Sequence, residues 1–450
     1  MAQQNGDAML LRQLDSPEPS LRAQALNGLA KSTSPQHKEY EAVNMHIHSW
    51  YSYNACGYSP SHIAWLCRRQ GLQAAGLCDF DVLDGLQEFL GAGGTLRLRV
   101  AVSLETRVFV PEKESAGINS PGEKGVAYIM AAGFVRVPAR ESLEARRLSS
   151  FRDQAAVRNR ALVDRVNAHL PELALDYDRD VLRLAPAGNA TERHIVKAYV
   201  RRAERVFADP AAREHFWTPV LGELCMEGYA LEEQIRARLV KRGGLAYREP
   251  SAASFPPLDD FVNWTLCCGA IPMMAWLDGL SAGELEADSL LDFMLSKGVL
   301  AVNIIPERNW NIADKLLRKR KMAKLKEFVE ACQARSLPIN IGTEMNKPGL
   351  PFCDDLCCSA LAPYRRAFMS GARLLIGHTC LLRYAGFSYS GSEAEAEFGV
   401  NLKAKNRFFE SVGELPALSD RLKAELEWIG PQRAYRCLQD SARAGAWCLS

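Results

Sequence analysis

The hydrophobic pattern of the chain changes period along its length. Leu10, Leu11 and Leu14 repeat at helical spacing, and so do Leu21, Ala25, Leu26 and Leu29, with Ser16-Pro17-Glu18-Pro19 between them. From about residue 39, short apolar runs alternate with helical patterns. Asn44-Met45-His46-Ile47-His48-Ser49 reads as a strand. Ser59 and Pro60 supply an N-cap and an N1 proline to a helix carrying Ile63, Leu66 and Cys67, and Gly71 is its stop. Ala74 to Cys78 is a second strand, and Asp79-Phe80-Asp81 follows it. A helix with Leu83, Leu86, Phe89 and Leu90 is ended by Gly91 to Gly94. Leu96 to Leu104 is a third strand, closed by Glu105. This β-α-β-α-β order predicts a parallel α/β sheet or barrel, with functional residues at the C-terminal strand ends.

The period breaks after about residue 138. Glu141 to Asn167 is a charged helical stretch holding Arg146, Arg147, Arg152, Arg158, Arg160 and Arg165. Each arginine alone suits a solvated face, and together they suit a cap that meets an anionic substrate. Thr191-Glu192-Arg193-His194 opens another helix with Thr191 as N-cap. The barrel pattern returns with strands at Gly269 to Ala275, ending at Trp276, and at Val299 to Ile305, ending at Glu307-Arg308-Asn309. Further strands are read at Leu337 to Ile341 and at Arg373 to Ile376, the last ending at His378. Leu415 to Leu449 is amphipathic and suits terminal helices. The division expected is 1–38 as a helical extension, 39–138 and 184–450 as two parts of one barrel, and 139–183 as an inserted cap.

Composition narrows the class. Basic and acidic residues number 55 and 53, a net charge of +2, which argues against a general nucleic-acid or membrane partner. The basic run Arg318 to Lys326 reads as an outward helix face. No apolar run spans a bilayer and no secretory signal pattern opens the chain. The 13 cysteines, irregularly spaced, read as reduced thiols of a cytoplasmic protein.

The chemistry centres on His46 and His48. Residues i and i+2 of a strand share a face, and imidazole is the commonest metal-binding side chain. The order of motifs resembles the polymerase-and-histidinol-phosphatase (PHP) superfamily, nearest to its small nucleotide and oligonucleotide phosphoesterase branch and to larger uncharacterised PHP proteins. The likeness rests on His46-Ile47-His48, on Cys78-Asp79-Phe80-Asp81 with Gly85, on Glu105, on Glu192-Arg193-His194-Ile195, and on Gly342-Thr343-Glu344-Met345-Asn346. It implies a distorted (β/α)7 TIM-like barrel that holds one or two divalent metals (Zn, Mn or Fe) and hydrolyses a small phosphorylated or nucleotide-like substrate.

Carried over, the resemblance makes His46, His48, Asp79, Glu105, His194 and Glu344 metal ligands. Glu105, Asp79, Arg193 and Arg308 become catalytic or phosphate-clamping residues. Arg193, Arg308, Asn309, Asn346, His378, Tyr128 and Trp276 become the substrate surround. Phe80, Tyr128, Trp276 and Asn346 stand where the family pattern has histidines, so the metal site implied is a reduced one. A non-phosphate hydrolase or lyase on the same scaffold, and a non-catalytic binding protein, are the alternative readings.

Overall fold

The computed structural model describes residues 2–32, 39–114, 116–120, 122–222 and 226–448. Leu449 and the segment 33–38 lie outside the described residues, and with them the end of each terminal region read from sequence. Two helices, α1 (Ala2–Gln13) and α2 (Pro19–Ser32), precede the sheet. Then come β1 (Tyr40–Ile47), α3 (Pro60–Arg69), β2 (Leu72–Phe80), α4 (Leu86–Leu96), β3 (Arg99–Phe109) and β4 (Val126–Ala132). Helices α5 (Leu143–His169), α6 (Glu192–Val206), α7 (Pro210–Leu221), α8 (Gly228–Ile235) and α9 (Leu258–Cys267) lead to β5 (Ile271–Trp276). The last strands are β6 (Ala301–Ile304) and β7 (Ile339–Ile341). Around them lie α10 (Ala287–Ser296), α11 (Glu307–Trp310), α12 (Lys315–Ala334) and α13 (Arg365–Ala385).

The seven strands form one sheet in sequence order. A bridge between Ile47 and Glu344 joins its two edges, giving a nearly closed barrel within a mixed α/β fold. The bridge is made by Glu344 N donating to His46 O (2.8 Å) and His48 N donating to Glu344 O (3.0 Å). Gly342 makes it possible. A Cβ there would run into His46 Cβ and the His46 amide, so only glycine lets the chain leaving β7 lie this close to β1. No helix among the described residues is long and apolar enough to cross a membrane.

Four local expectations are corrected. The sheet is not all parallel, because β4 runs antiparallel to both β3 and β5. β3 therefore continues through Glu105 to Phe109, paired with β4, so Glu105 is a mid-strand residue. Gly91 to Gly94 do not end α4, which runs on to Leu96 and is capped by Arg97 in the left-handed region (φ 51°). A Cβ at Gly93 would meet Val100, so this glycine lets the helix pack close to β3. Finally, Arg373 to Ile376 is not a strand but the middle of the 21-residue α13. Its apolar run is continuous because the helix is buried on most sides. Gly371 abuts the β7 backbone at Ile339, and Gly377 abuts the backbone at Phe409.

Two large cores result. One fills the barrel walls and their helices, from Leu14 to Leu438, and takes in Ala25, Leu26 and Leu29 of α2. The other joins residues of the β4–β5 excursion, from Leu162 to Ala246, around Tyr199 and Trp217. The second core gives the excursion packing of its own.

Candidate metal centre

Strand alternation puts Asn44 and His46 on the inner face of β1, with His48 one residue past the strand end and held in register by the bridge to Glu344. On β3 the same alternation turns Ser103, Glu105 and Arg107 inward. The three side chains His46, His48 and Glu105 are 0, 3 and 3% exposed as residues. His46 Nε2 lies 3.5 Å and His48 Nε2 3.4 Å from the same oxygen, Glu105 Oε2. Among the described residues this is the one His/Cys/Asp/Glu group with metal-ligand spacing. Between β1 and β3, Phe80 pairs in register with Glu105 and lays its ring 6.5 Å from that of His48. It contributes a wall and no donor atom.

The surrounding hydrogen bonds orient the imidazoles. Ser52 Oγ donates its single proton to Asp79 Oδ1 (2.7 Å), so toward His48 Nδ1 (3.2 Å) it acts as an acceptor. His48 thus carries its proton on Nδ1 and turns the Nε2 lone pair toward Glu105. His46 Nδ1 faces the Asn303 amide at 3.1 Å, while Asn303 Oδ1 and His46 Nε2 have no hydrogen-bond partner among the described residues. Turned through half a turn, the same amide would set Oδ1 against Nδ1–H and leave both Nε2 lone pairs aimed at a carboxylate. Lone pairs facing an anion in a buried site need a cation or proton between them. The donor set of two imidazole nitrogens and one carboxylate oxygen, each imidazole held through its other nitrogen, fits a divalent metal.

The electrostatics agree. Burial disfavours a charged His46, but Glu105 outweighs it and holds the imidazole above its ordinary pKa. Burial likewise opposes ionisation of Glu105, and the two histidines overcome it to hold the carboxyl below the usual range. Glu344 lies at the rim with φ 61°. Burial would raise its pKa, but Arg308 and then His46 keep it low. Arg308 donates to Glu344 Oε2 at 3.2 Å, as does Asn346.

The other residues named from the sequence fall in three places. Tyr128, Arg193, Arg308, Glu344 and Asn346 line, with His48 and Glu105, one cavity of about 1200 Å³ between the strand ends and the β4–β5 excursion. Arg193 is paired with Glu233 at 2.7 Å and lies 5.5 Å from the rings of both Tyr53 and Tyr229. Asp79 and His194 sit beside this group without joining it. Asp79 accepts from Ser49 N, Ser49 Oγ and Ser52 Oγ at 2.6–2.7 Å, which leaves it an anchor for the loop after β1. His194 Nδ1 accepts from Thr191 N (3.0 Å) in a capping box, and burial pushes its pKa down to about 3.

Trp276, Asn309 and His378 face elsewhere. Trp276 stacks on Phe328 of α12 at 4.6 Å and 10° in the helix layer outside the barrel. Asn309 Nδ2 donates to Leu277 O (2.9 Å) and Ile305 O (3.2 Å). His378 accepts from Tyr389 N (3.1 Å) inside α13, where burial pushes its pKa down to about 3.

The sequence reading did not single out Asn303, Ser52 or Arg107. Asn303 carried one signal, a lone amide in the apolar run Ala301-Val302-Asn303-Ile304. Ser52 carried none. Arg107 lines the cavity, ion-paired to Glu123 at 2.9 Å, and shares the Phe255 ring with Arg158 of α5 at 4.6 and 4.3 Å.

No protein-family model and no curated protein matches the chain. Among solved structures it is similar to an amidohydrolase from Chromobacterium violaceum, solved with bound sulfate and no metal. That match has 15% identity and a TM-score of 0.49 over 74% of this chain and 96% of the other. It is also similar to a protein assigned as a metal-dependent phosphoesterase from Bifidobacterium adolescentis, at 16% identity and a TM-score of 0.46, over 74% and 98% of the two chains. By its own geometry, the chain is a seven-stranded mixed α/β barrel with a buried His/His/Glu group of metal-ligand spacing.

Proposed function

We propose that this chain is a metal-dependent hydrolase of the PHP type, a phosphoesterase for a small phosphorylated or nucleotide-like substrate. The observation that carries the reading is the convergence of His46 Nε2 and His48 Nε2 on Glu105 Oε2 beside an arginine-lined cavity. His46, His48 and Glu105 would hold the first ion, with Glu344 as the further donor of a reduced one- or two-metal site and His194 left to cap its own helix. A divalent ion (Zn, Mn or Fe) held there would supply Lewis acidity toward a phosphoryl group and would lower the pKa of a water.

The chain's own part is positioning and charge. Arg308 sits at the rim beside Glu344 and offers the rest of its guanidinium fork to a phosphate oxygen. Arg193, already paired with Glu233, gives a second cation on the excursion side. Asp79 acts at one remove, fixing Ser52 and through it His48. Tyr128 and Asn346 supply neutral polar contacts on the wall. The aromatic wall of Tyr53, Phe80 and Tyr128 favours a ring-bearing substrate, and it is the observation that supports the second reading, a non-phosphate ester or amide hydrolase.

The test is elemental analysis of wild type and of His46→Ala/His48→Ala, purified without chelator, followed by a phosphate-ester panel with Mn²⁺ added. One or more metal equivalents in wild type, lost in the variant, with chelator-sensitive turnover, is the expected result. Metal without phosphate-ester turnover moves the reading to the non-phosphate hydrolase. No metal in either protein overturns both.

A further inference from the structure

The two N-terminal helices are not a free appendage. Arg22 of α2 is 2% exposed and clamps Glu88 of α4 with both arms of its fork, Nε to Oε1 at 2.9 Å and Nη2 to Oε2 at 2.6 Å. Its Nη1 donates to Ser16 O (2.8 Å) and Pro17 O (3.2 Å), which fixes the turn between α1 and α2. The same guanidinium lies 5.1 Å from the Trp50 ring and 3.4 Å from the Tyr51 hydroxyl. Trp50 and Tyr51 fall between Ser49 and Ser52, the two serines that hold Asp79, and Ser52 is the acceptor for His48 Nδ1. The far end of this loop is tied down separately. Asp15 accepts from Ser59 N (2.8 Å) and meets His62 Nδ1 at 2.6 Å, and Ser59 Oγ donates to Leu14 O at 2.5 Å.

We propose that Arg22 is a positioning residue of the metal centre: by clamping Trp50 and Tyr51 it holds Ser52 against His48 and so fixes the His48 Nδ1–H tautomer that aims Nε2 at Glu105. A buried cation with a bidentate carboxylate and an aromatic face against it has one geometry. Ser52 must be placed to within a few tenths of an ångström for its oxygen to accept from His48 while donating to Asp79. Asp79 holds the stretch from its inner side, and Trp50 N donates to Tyr58 O (2.9 Å) and Ser52 N to Ser49 O (3.2 Å), while Arg22 is the group that meets both the Trp50 ring and the Tyr51 hydroxyl from the N-terminal helices. The consequence for metal affinity rests on the function proposed above. The tautomer does not.

The experiment compares wild type, Arg22→Met and Asp15→Asn, using two readouts. The first is the ring ¹⁵N spectrum of metal-free, histidine-labelled protein, with His48 assigned by His48→Gln. The second is Mn²⁺ binding by equilibrium dialysis. The expected result is a single Nδ1–H tautomer for His48 in wild type and Asp15→Asn, and a mixture in Arg22→Met. Mn²⁺ affinity in Arg22→Met should fall roughly 10-fold or more, the range for lost outer partners of a ligand, while Asp15→Asn lowers only the melting temperature. If Arg22→Met does not fold, Arg22→Lys, which keeps the charge and loses the fork, is read in the same way. An unchanged His48 tautomer in the arginine variant, or parallel changes in both variants that track stability, overturns the proposal. Wild type that takes up no Mn²⁺ overturns the metal reading alone, because the tautomer still decides the role of Arg22.

Discussion

The Asn303 amide of β6 lies 3.1 Å from His46 Nδ1 across the inside of the barrel. It holds the ring of a candidate ligand whose other nitrogen has no hydrogen-bond partner among the described residues. Asn303→Leu keeps the volume and removes the hydrogen bond. Mn²⁺ affinity measured by equilibrium dialysis should fall by roughly 10- to 100-fold, the usual cost of losing such a partner. The fold should persist, because the leucine replaces an amide that has one unmatched oxygen. Wild-type affinity in this variant would show that His46 is oriented by packing alone.

Trp276 gives the opposite prediction. The resemblance put it at the substrate, but its ring stacks on Phe328 at 4.6 Å, and it is fully buried. Trp276→Ala should destabilise the protein by about 3–5 kcal/mol, the cost of emptying a large aromatic site. Denaturant titration measures this loss. Metal content at 10 °C should stay at the wild-type level. A variant of normal stability with altered substrate affinity would place the ring back in the cavity.

These two residues show what was legible in the sequence. The parallel strands are buried on both faces, so they read as continuous apolar runs, and their ends carried the chemistry. That is why His46 and His48 were named, whereas Glu105 was named as a strand end and lies in the middle of β3. β4 was missed because its partner β3 does not stop at Glu105, and an antiparallel strand here breaks the repeating βα unit. α13 was misread because Leu374-Leu375-Ile376 is as apolar as a strand when a helix is buried on most sides. Which way a strand-end residue turns was not legible either. Trp276 and Glu105 both sit on well-formed strands and face opposite layers. Nor were the outer partners: Asn303 is 257 residues from His46 and meets it only when the sheet curls.

Asp354 predicts a pH dependence away from the metal. It is 2% exposed, accepts from Trp310 Nε1 at 2.8 Å, and leaves Oδ2 without a partner among the described residues. Burial pushes its carboxyl up to about 7 from 3.8. The folded state therefore keeps a proton that the unfolded chain releases near pH 4. Stability from this group is full below pH 4 and declines as pH rises toward 7, by an amount on the order of a few kcal/mol. Asp354→Asn keeps the acceptor for Trp310 and removes the titration. Urea unfolding at pH 5 and pH 8 should show a smaller loss of stability at pH 8 in the variant than in wild type. Equal pH slopes would mean that Asp354 is ionised in the folded protein.

Gly342 tests how the barrel closes. The bridge between Ile47 and Glu344 brings the chain after β7 to the first strand, and Glu344 exchanges backbone hydrogen bonds with His46 and His48. Gly342 lies two residues before Glu344, where an added Cβ would overlap the Cβ and amide of His46 and come within 2.7 Å of Asn44 Oδ1. The two His46 atoms cannot swing aside, and Asn44 is held by Thr343 and Phe352, so Gly342→Ala has to push the two strands apart. The cost in stability should be about 1–3 kcal/mol, typical of overpacking. The same displacement moves His46 relative to Glu105, so Mn²⁺ affinity should fall as well, in contrast to Trp276→Ala, which lowers stability alone. Thermal melts and equilibrium dialysis on the two variants separate these outcomes. A Gly342→Ala protein that melts as wild type and keeps its metal would mean that β1 and β7 stand further apart than the bridge requires.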